Sequence, residues 1–274
     1  MKNLFSAFTA FLLATLLYSC GSSSQQEGQE AQTEEQTPAE TQKPVVLSAA
    51  PASPEYMDAI LQLNSPLDGS DLPSGAVNFD FTVTNYELGV QTPDAADKPL
   101  ANSGDGQHIH LILNNDPYSA HYEPTFQKEM EDGHYVALAF LSRSYHESVK
   151  NPEAFSLIQF NVGDAGGEEA DLTAPHMFYS RPKGTYSGTD TEKLLLDFYL
   201  VNTDLSEGGN QVKITVNGDT EFTVTEWKPY LLENLPMGEN TIKLELLDSS
   251  GNLVESPFNP VERTITLEEG EVAS

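Results

Sequence analysis

The chain is poor in cysteine, tryptophan and positive charge. Cys20 is the only cysteine among 274 residues. No internal disulfide can form, and a folded domain has no thiolate to offer as nucleophile or metal ligand. Lysine and arginine total 13 against 42 aspartates and glutamates, for a formal net charge of −29. A field of that sign repels phosphate backbones, which excludes nucleic acid as a partner. The sequence also has no G-x-S-x-G elbow, H-E-x-x-H, P-loop, dinucleotide fingerprint or D-x-[DN]-x-[DN]-G calcium loop. With no catalytic signature, a non-enzymatic role is expected. Long amphipathic helical patterns are missing too.

One apolar run is present, at residues 4–18. It follows Lys2 and is broken only by Ser6, Thr9 and Thr15. It is shorter than the roughly 20 residues that span a bilayer, and its basic start is that of a secretory signal. It ends in Leu17-Tyr18-Ser19-Cys20-Gly21. This ending resembles the lipobox of bacterial lipoproteins. The resemblance implies cleavage before Cys20, acylation there, and a membrane partner held through lipid. Residues 1–19 are then a signal peptide. Residues 20–49 form the lipidated cysteine and a flexible acidic linker, and the stretch from Gln42-Lys43-Pro44 through Pro51 and Pro54 either extends this spacer or starts an edge strand. Up to residue 43 this linker holds no aromatic residue, so it buries too little surface to offset its ordering entropy.

From residue 50 onward the pattern is strand-like and occurs twice. Val77, Phe79, Phe81 and Val83 alternate with polar residues, and Leu194 to Leu200 is the corresponding apolar stretch. Residues 107–116 and 210–219 form a second matching pair. Tyr122-Glu123-Pro124 then answers to Trp227-Lys228-Pro229, Gly133 to Gly238, and Phe160 to Ile265, at a constant offset. Period-two alternation with Gly, Pro and Asn turns predicts antiparallel sheets. The expected fold is all-β, with two tandem immunoglobulin-like antiparallel β-sandwich modules after a disordered lipoprotein tether. Module one spans 50–165, a hinge 166–173, module two 174–270, and a tail 271–274.

The two modules differ in histidine. His108, His110, His121, His134 and His146 lie in module one, and His176 follows the hinge. The corresponding positions of module two are Gln211, Lys213, Glu226, Glu239 and Gly251. A sandwich of this shape therefore does not need histidine there for packing. Ile109, Leu111 and Leu113 should face the core. His108 and His110 then share the opposite, surface face, about 6–7 Å apart along the strand. If the next long strand, 135–141, runs antiparallel, its end brings His146 and Glu147 alongside. This predicts a metal site of His108, His110 and His146, with Glu147 as a fourth ligand or a partner to one. Three imidazoles suit copper or zinc.

Two other readings compete. Arg143, Tyr145, His146 and Lys150, with His121, Tyr122 and His134 nearby, offer cationic and aromatic groups for an anion, a peptide or a glycan of the envelope. Alternatively, the same polar residues are structural parts of an envelope module. On strand 135–141 the outward Val136, Leu138 and Phe140 are apolar, where module two has Thr241, Lys243 and Glu245. That predicts that this face is covered, either by the 92–106 loop or by module two. Trp227 is expected to anchor its own sandwich.

Two stretches carry a wider resemblance: Gly106-Gln107-His108-Ile109-His110-Leu111 with the following Asn-Asp-Pro-Tyr, and residues 142–150, Ser-Arg-Ser-Tyr-His-Glu-Ser-Val-Lys. In these the chain resembles lipoproteins of Bacteroidetes-type bacteria with tandem immunoglobulin-like β domains, some of which carry a phosphopeptide-binding label. The resemblance implies an envelope location, at the outer membrane of a Gram-negative cell facing the periplasm or the surface. It also implies a histidine-centred role, and it names no activity.

Overall fold

The computed structural model describes residues 43–164 and 166–270. The signal peptide, Cys20, most of the tether and the 271–274 tail lie outside the described residues. In chain order the strands are β1 (Val46–Ala49), β2 (Ile60–Ser65), β3 (Ser70–Leu72), β4 (Gly75–Thr84), β5 (His108–Leu113), β6 (Ser119–His121), β7 (Thr125–Met130), β8 (Gly133–Ser142) and β9 (Phe155–Val162). They continue with β10 (His176–Arg181), β11 (Gly184–Ser187), β12 (Lys193–Val201), β13 (Gln211–Val216), β14 (Thr220–Val224), β15 (Tyr230–Glu233), β16 (Gly238–Leu247) and β17 (Val261–Glu268). No helix among the described residues is long and apolar enough to cross a membrane.

Two sheets make each module. In the first, β2-β4-β7 faces β3-β9-β8-β5-β6; in the second, β1-β15-β12-β10 faces β11-β17-β16-β13-β14. Apart from β1, an added edge strand in the second module, the strand order is the same, down to one short parallel pairing per module, β3 with β9 and β11 with β17. The repeat in sequence is thus a repeat of the fold, two immunoglobulin-like β-sandwiches. Alternation explains the cores. Phe79, Phe81, Ile109, Leu111, Ala137, Ala139 and Leu141 pack inside the first sandwich. Leu194, Leu196, Phe198, Val212, Ile214, Leu244 and Leu246 pack inside the second.

The outward residues of β8 are covered. Val136, Leu138 and Phe140, with Ile112, pack against Phe178, Tyr199, Val201 and Phe258 of the second module. Burying one such side chain contributes about 1.5–3 kcal/mol, so a joint of this composition holds the sandwiches as one body. Residues 43–164 and 166–270 accordingly fall in a single compact unit. A buried ion pair adds a polar lock: Lys150 Nζ meets Asp197 Oδ1 at 2.5 Å, and Asp197 is fully buried. The 92–106 loop crosses the same joint, with Leu100 packed against Tyr145, Leu195 and Leu231.

Two expectations change, and a third is met and extended. Residues 46–49 are not tether: β1 pairs with β15 and extends the second module's sheet. The 166–173 segment is not a free hinge, since Ala170 and Leu172 pack into the joint and Asn202 holds the Leu172 carbonyl at 2.8 Å. Trp227 serves its own module, donating from Nε1 to the Phe198 carbonyl at 2.9 Å, and also touches the joint through Tyr199.

Candidate metal centre

The centre begins with the pleat of β5. Ile109 and Leu111 point into the first core, so His108 and His110 leave on the other side, where Ser142 and Phe140 are their partners across β8. That side is the joint. Both histidines are 0% exposed. They are interior residues, and the expectation of surface histidines is corrected by the second module lying over them. Tyr118 stacks on the His110 ring with centroids 3.4 Å apart, and Tyr122 tilts over His108 at 5.1 Å.

His146 arrives on the turn that follows β8. The turn is closed by the Ser142–Ser148 bridge and by His146 N donating to the Arg143 carbonyl at 2.8 Å. His146 has φ 68°, a left-handed conformation. The second module repeats the turn with the Leu247–Leu253 bridge and Gly251 N donating to Asp248, and there the left-handed position is glycine, φ 81°. A residue with a β-carbon pays roughly 1–2 kcal/mol in that conformation. Module one keeps an imidazole where the fold would accept glycine, and such strain collects at functional positions.

The three rings converge. His108 Nε2 lies 2.8 Å from His110 Nε2 and 3.1 Å from His146 Nδ1. One nitrogen from each ring falls within 4.8 Å of the others. Bonds of about 2.0 Å put adjacent corners of a square about 2.8 Å apart and those of a tetrahedron about 3.3 Å apart. The 2.8 Å separation matches the square and the 3.1 Å separation lies nearer the tetrahedron, so both geometries are within reach of rings that share His108 as the middle member.

Proton placement points the same way. His108 Nδ1 faces the Gly106 carbonyl at 2.8 Å, so Nδ1 carries the proton and Nε2 presents its lone pair to the other two rings. Only one N–H can aim well at that lone pair. If His110 supplies it, His146 Nδ1 accepts from the Tyr118 hydroxyl at 3.2 Å, and two acceptor nitrogens lie 3.1 Å apart with no proton between them. A cation at the convergence would use all three lone pairs at once.

Burial keeps the rings neutral. It pulls His108 down to about 4, against a rise from its Gly106 hydrogen bond, with Arg181 and Lys183 lowering it further. Burial also holds His110 well below the ordinary value, assisted by His108, His146, Arg181 and Lys183. His146 is lowered for the same first reason, then by Arg181, His108 and Lys183. Neutral imidazole is the form that binds metal.

Gly106 orients the first ligand. Its φ is +88°, and a β-carbon there would overlap the backbone of Val90. Gly106→Ala should cost about 1–3 kcal/mol, read from urea unfolding, because both the left-handed backbone and the close approach must give way. An unchanged midpoint would show that the Val90 segment yields freely.

The other candidates lie elsewhere. The Glu147 carboxylate binds Arg143 Nη1 at 3.1 Å and the Ser53 hydroxyl at 2.8 Å; its charge is spent on the guanidinium, so it is not a fourth ligand. Arg143 further donates to the carbonyls of Ser148 and Pro54. Lys150 is held by Asp197, and the Tyr145 hydroxyl donates to Asp94 at 3.1 Å. These donors serve the fold, so Arg143, Tyr145 and Lys150 do not make one anion site with His146. His121 stacks on Phe126 and shares a hydrogen bond with Ser119. Tyr122 bonds Ser103 at 2.7 Å. His134 sits at the far end of β8, between Asn161 and Gln159. The second module contributes residues not anticipated from sequence. Ser180 Oγ is 3.4 Å from His110 Nδ1, Arg181 lies over the Tyr118 ring at 5.2 Å, and Lys183 lies over it at 3.9 Å.

No protein-family model and no curated protein matches the chain. Solved structures do. The fibronectin(III)-like modules of Clostridium thermocellum CbhA align at 15% identity over 78% of this chain and 97% of that one, TM-score 0.28. The FN1–FN3 domains of chicken CNTN1 align at 12% over 80% and 69%, TM-score 0.22. The Bacteroides ovatus mixed-linkage glucan utilization locus protein SGBP-B, in complex with a mixed-linkage heptasaccharide, aligns at 10% over 76% and 70%, TM-score 0.23. Likeness at this level assigns no function, and the tandem β-sandwich rests on the strand topology itself.

Proposed function

We propose that this protein is a lipid-anchored envelope protein that holds one transition-metal ion, copper(II) or zinc, in a buried three-histidine centre, as a binding protein and not an enzyme. The observation that carries the reading is that His108, His110 and His146 each offer a ring nitrogen within 4.8 Å of the others, with His108 Nε2 2.8 Å from His110 Nε2 and 3.1 Å from His146 Nδ1. Neutral imidazoles suit both copper(II) and zinc, and the ring spacing accommodates either. A holding role is supported by the burial of His108 and His110, which keeps bulky molecules from the ligand atoms. Isothermal titration of the full chain with copper(II) and zinc tests the reading. Tight one-to-one binding is expected for the native chain and none for His108→Ala/His110→Ala, with folding of both checked by circular dichroism. Equal affinity would reassign the rings to a hydrogen-bonded joint between modules.

The location rests on the Leu17-Tyr18-Ser19-Cys20 sequence, which lies outside the described residues. Cys20→Ala should move the protein from the membrane to the soluble envelope fraction on cell fractionation. Retention in the membrane would remove the lipid from the reading.

A further inference from the structure

Beside His146 the joint holds a small, partly open cavity. Tyr145 and His146 line it from the first module, and Arg181, Tyr186 and Lys193 from the second. It measures about 10 Å³, the space of one water-sized body. Its polar wall is made of donors. Arg181 is 7% exposed, and its Nε has no hydrogen-bond partner. Among the described residues no carboxylate lies within ion-pair distance of Arg181, in a chain with net charge −29. Tyr186 Oη already accepts from Arg181 Nη1 at 2.9 Å and from Lys183 N at 3.1 Å, so its own proton is free to donate. Lys193 has only a loose contact, 3.7 Å, with Glu233. Buried cationic charge is ordinarily paired. Here the donors are in place and the acceptor is not supplied by the chain.

We propose that this cavity is a binding site for a small inorganic monoanion of the chloride class, held by Arg181 and Tyr186 between the two modules. Its size excludes phosphate and sulfate. The proposal goes beyond the metal reading and does not need it. A divalent ion on His146 Nδ1 would fix the proton on the ring's other nitrogen and add a further donor, while the anion would offset the positive field of Arg181 and Lys183 at the histidines.

Chloride NMR line width of the full chain, with a chelator present, tests the site separately from the metal. The native chain should broaden the chloride signal saturably, an effect that added bromide competes away and sulfate does not. Arg181→Gln should abolish the excess broadening and Tyr186→Phe should reduce it several-fold. Broadening no greater for the native chain than for Arg181→Gln overturns the proposal. Should Arg181→Gln fail to fold, Tyr186→Phe decides, because it removes only a hydroxyl: full retention of the effect overturns the site, and a several-fold loss supports it. Failure here with intact copper binding would leave the three-histidine reading standing.

Discussion

His146→Asn should weaken copper(II) binding at least about 100-fold while leaving the metal-free protein as stable as before or up to about 1 kcal/mol more stable. The two halves have separate causes. Residues that merely support a metal ligand contribute 10- to 100-fold in affinity, so loss of a ligand should reach at least the upper end. In the apo protein His146 sits at φ 68°, a conformation that asparagine tolerates better than histidine and that the second module assigns to Gly251. Titration calorimetry reads the first half, and urea unfolding in the presence of chelator the second. Native-like copper affinity would exclude Nδ1 as a ligand. A loss of several kcal/mol in the apo form would mean that ring packing on His108, and not ligation, keeps histidine at this turn.

The approach of His108, His110 and His146 was readable from local rules. Period-two alternation put Ile109 and Leu111 in the core, and antiparallel pairing brought the end of β8 to the start of β5. The apolar outer face of β8 also signalled a cover. The sequence did not reveal which surface would lie there, because Phe178, Tyr199 and Phe258 belong to another module and register between modules leaves no period in the chain. For the same reason Ser180, Arg181 and Lys183 went unseen beside the centre. Arg143 and Lys150 were open to two readings. Arg143 finds Glu147 four residues away, a pairing visible locally, whereas Lys150 finds Asp197 across the joint. Strand β1 was open to two readings, spacer or edge strand, because four residues carry little pattern and their partner, β15, lies in the second module.

Acid should open the metal-free joint before it reaches the carboxylates. Between pH 6.5 and 4 the unfolding free energy should fall by about 3 kcal/mol from His108 alone. The folded protein holds that ring at about 4, whereas the unfolded chain titrates it at its ordinary 6.5. Above 6.5 neither state binds the proton and the full stability is present. Below it the unfolded state gains protons that the folded state refuses, so stability drops as pH falls towards the folded value. His110 and His146 are lowered too and act in the same direction, so the total loss should exceed that of one ring. Glu147 works against them. Burial raises its carboxyl despite Arg143, so the folded state takes up that proton more readily as the pH enters the carboxylate range. Its contribution comes at the acid end, whereas the histidine loss starts at 6.5. Urea unfolding in chelator at intervals from pH 7 to 4.5 gives the curve. A flat profile across pH 6.5–5 would mean that the rings take up protons in the folded joint, and a joint able to solvate imidazolium would have no need of a metal to hold its facing ring nitrogens together.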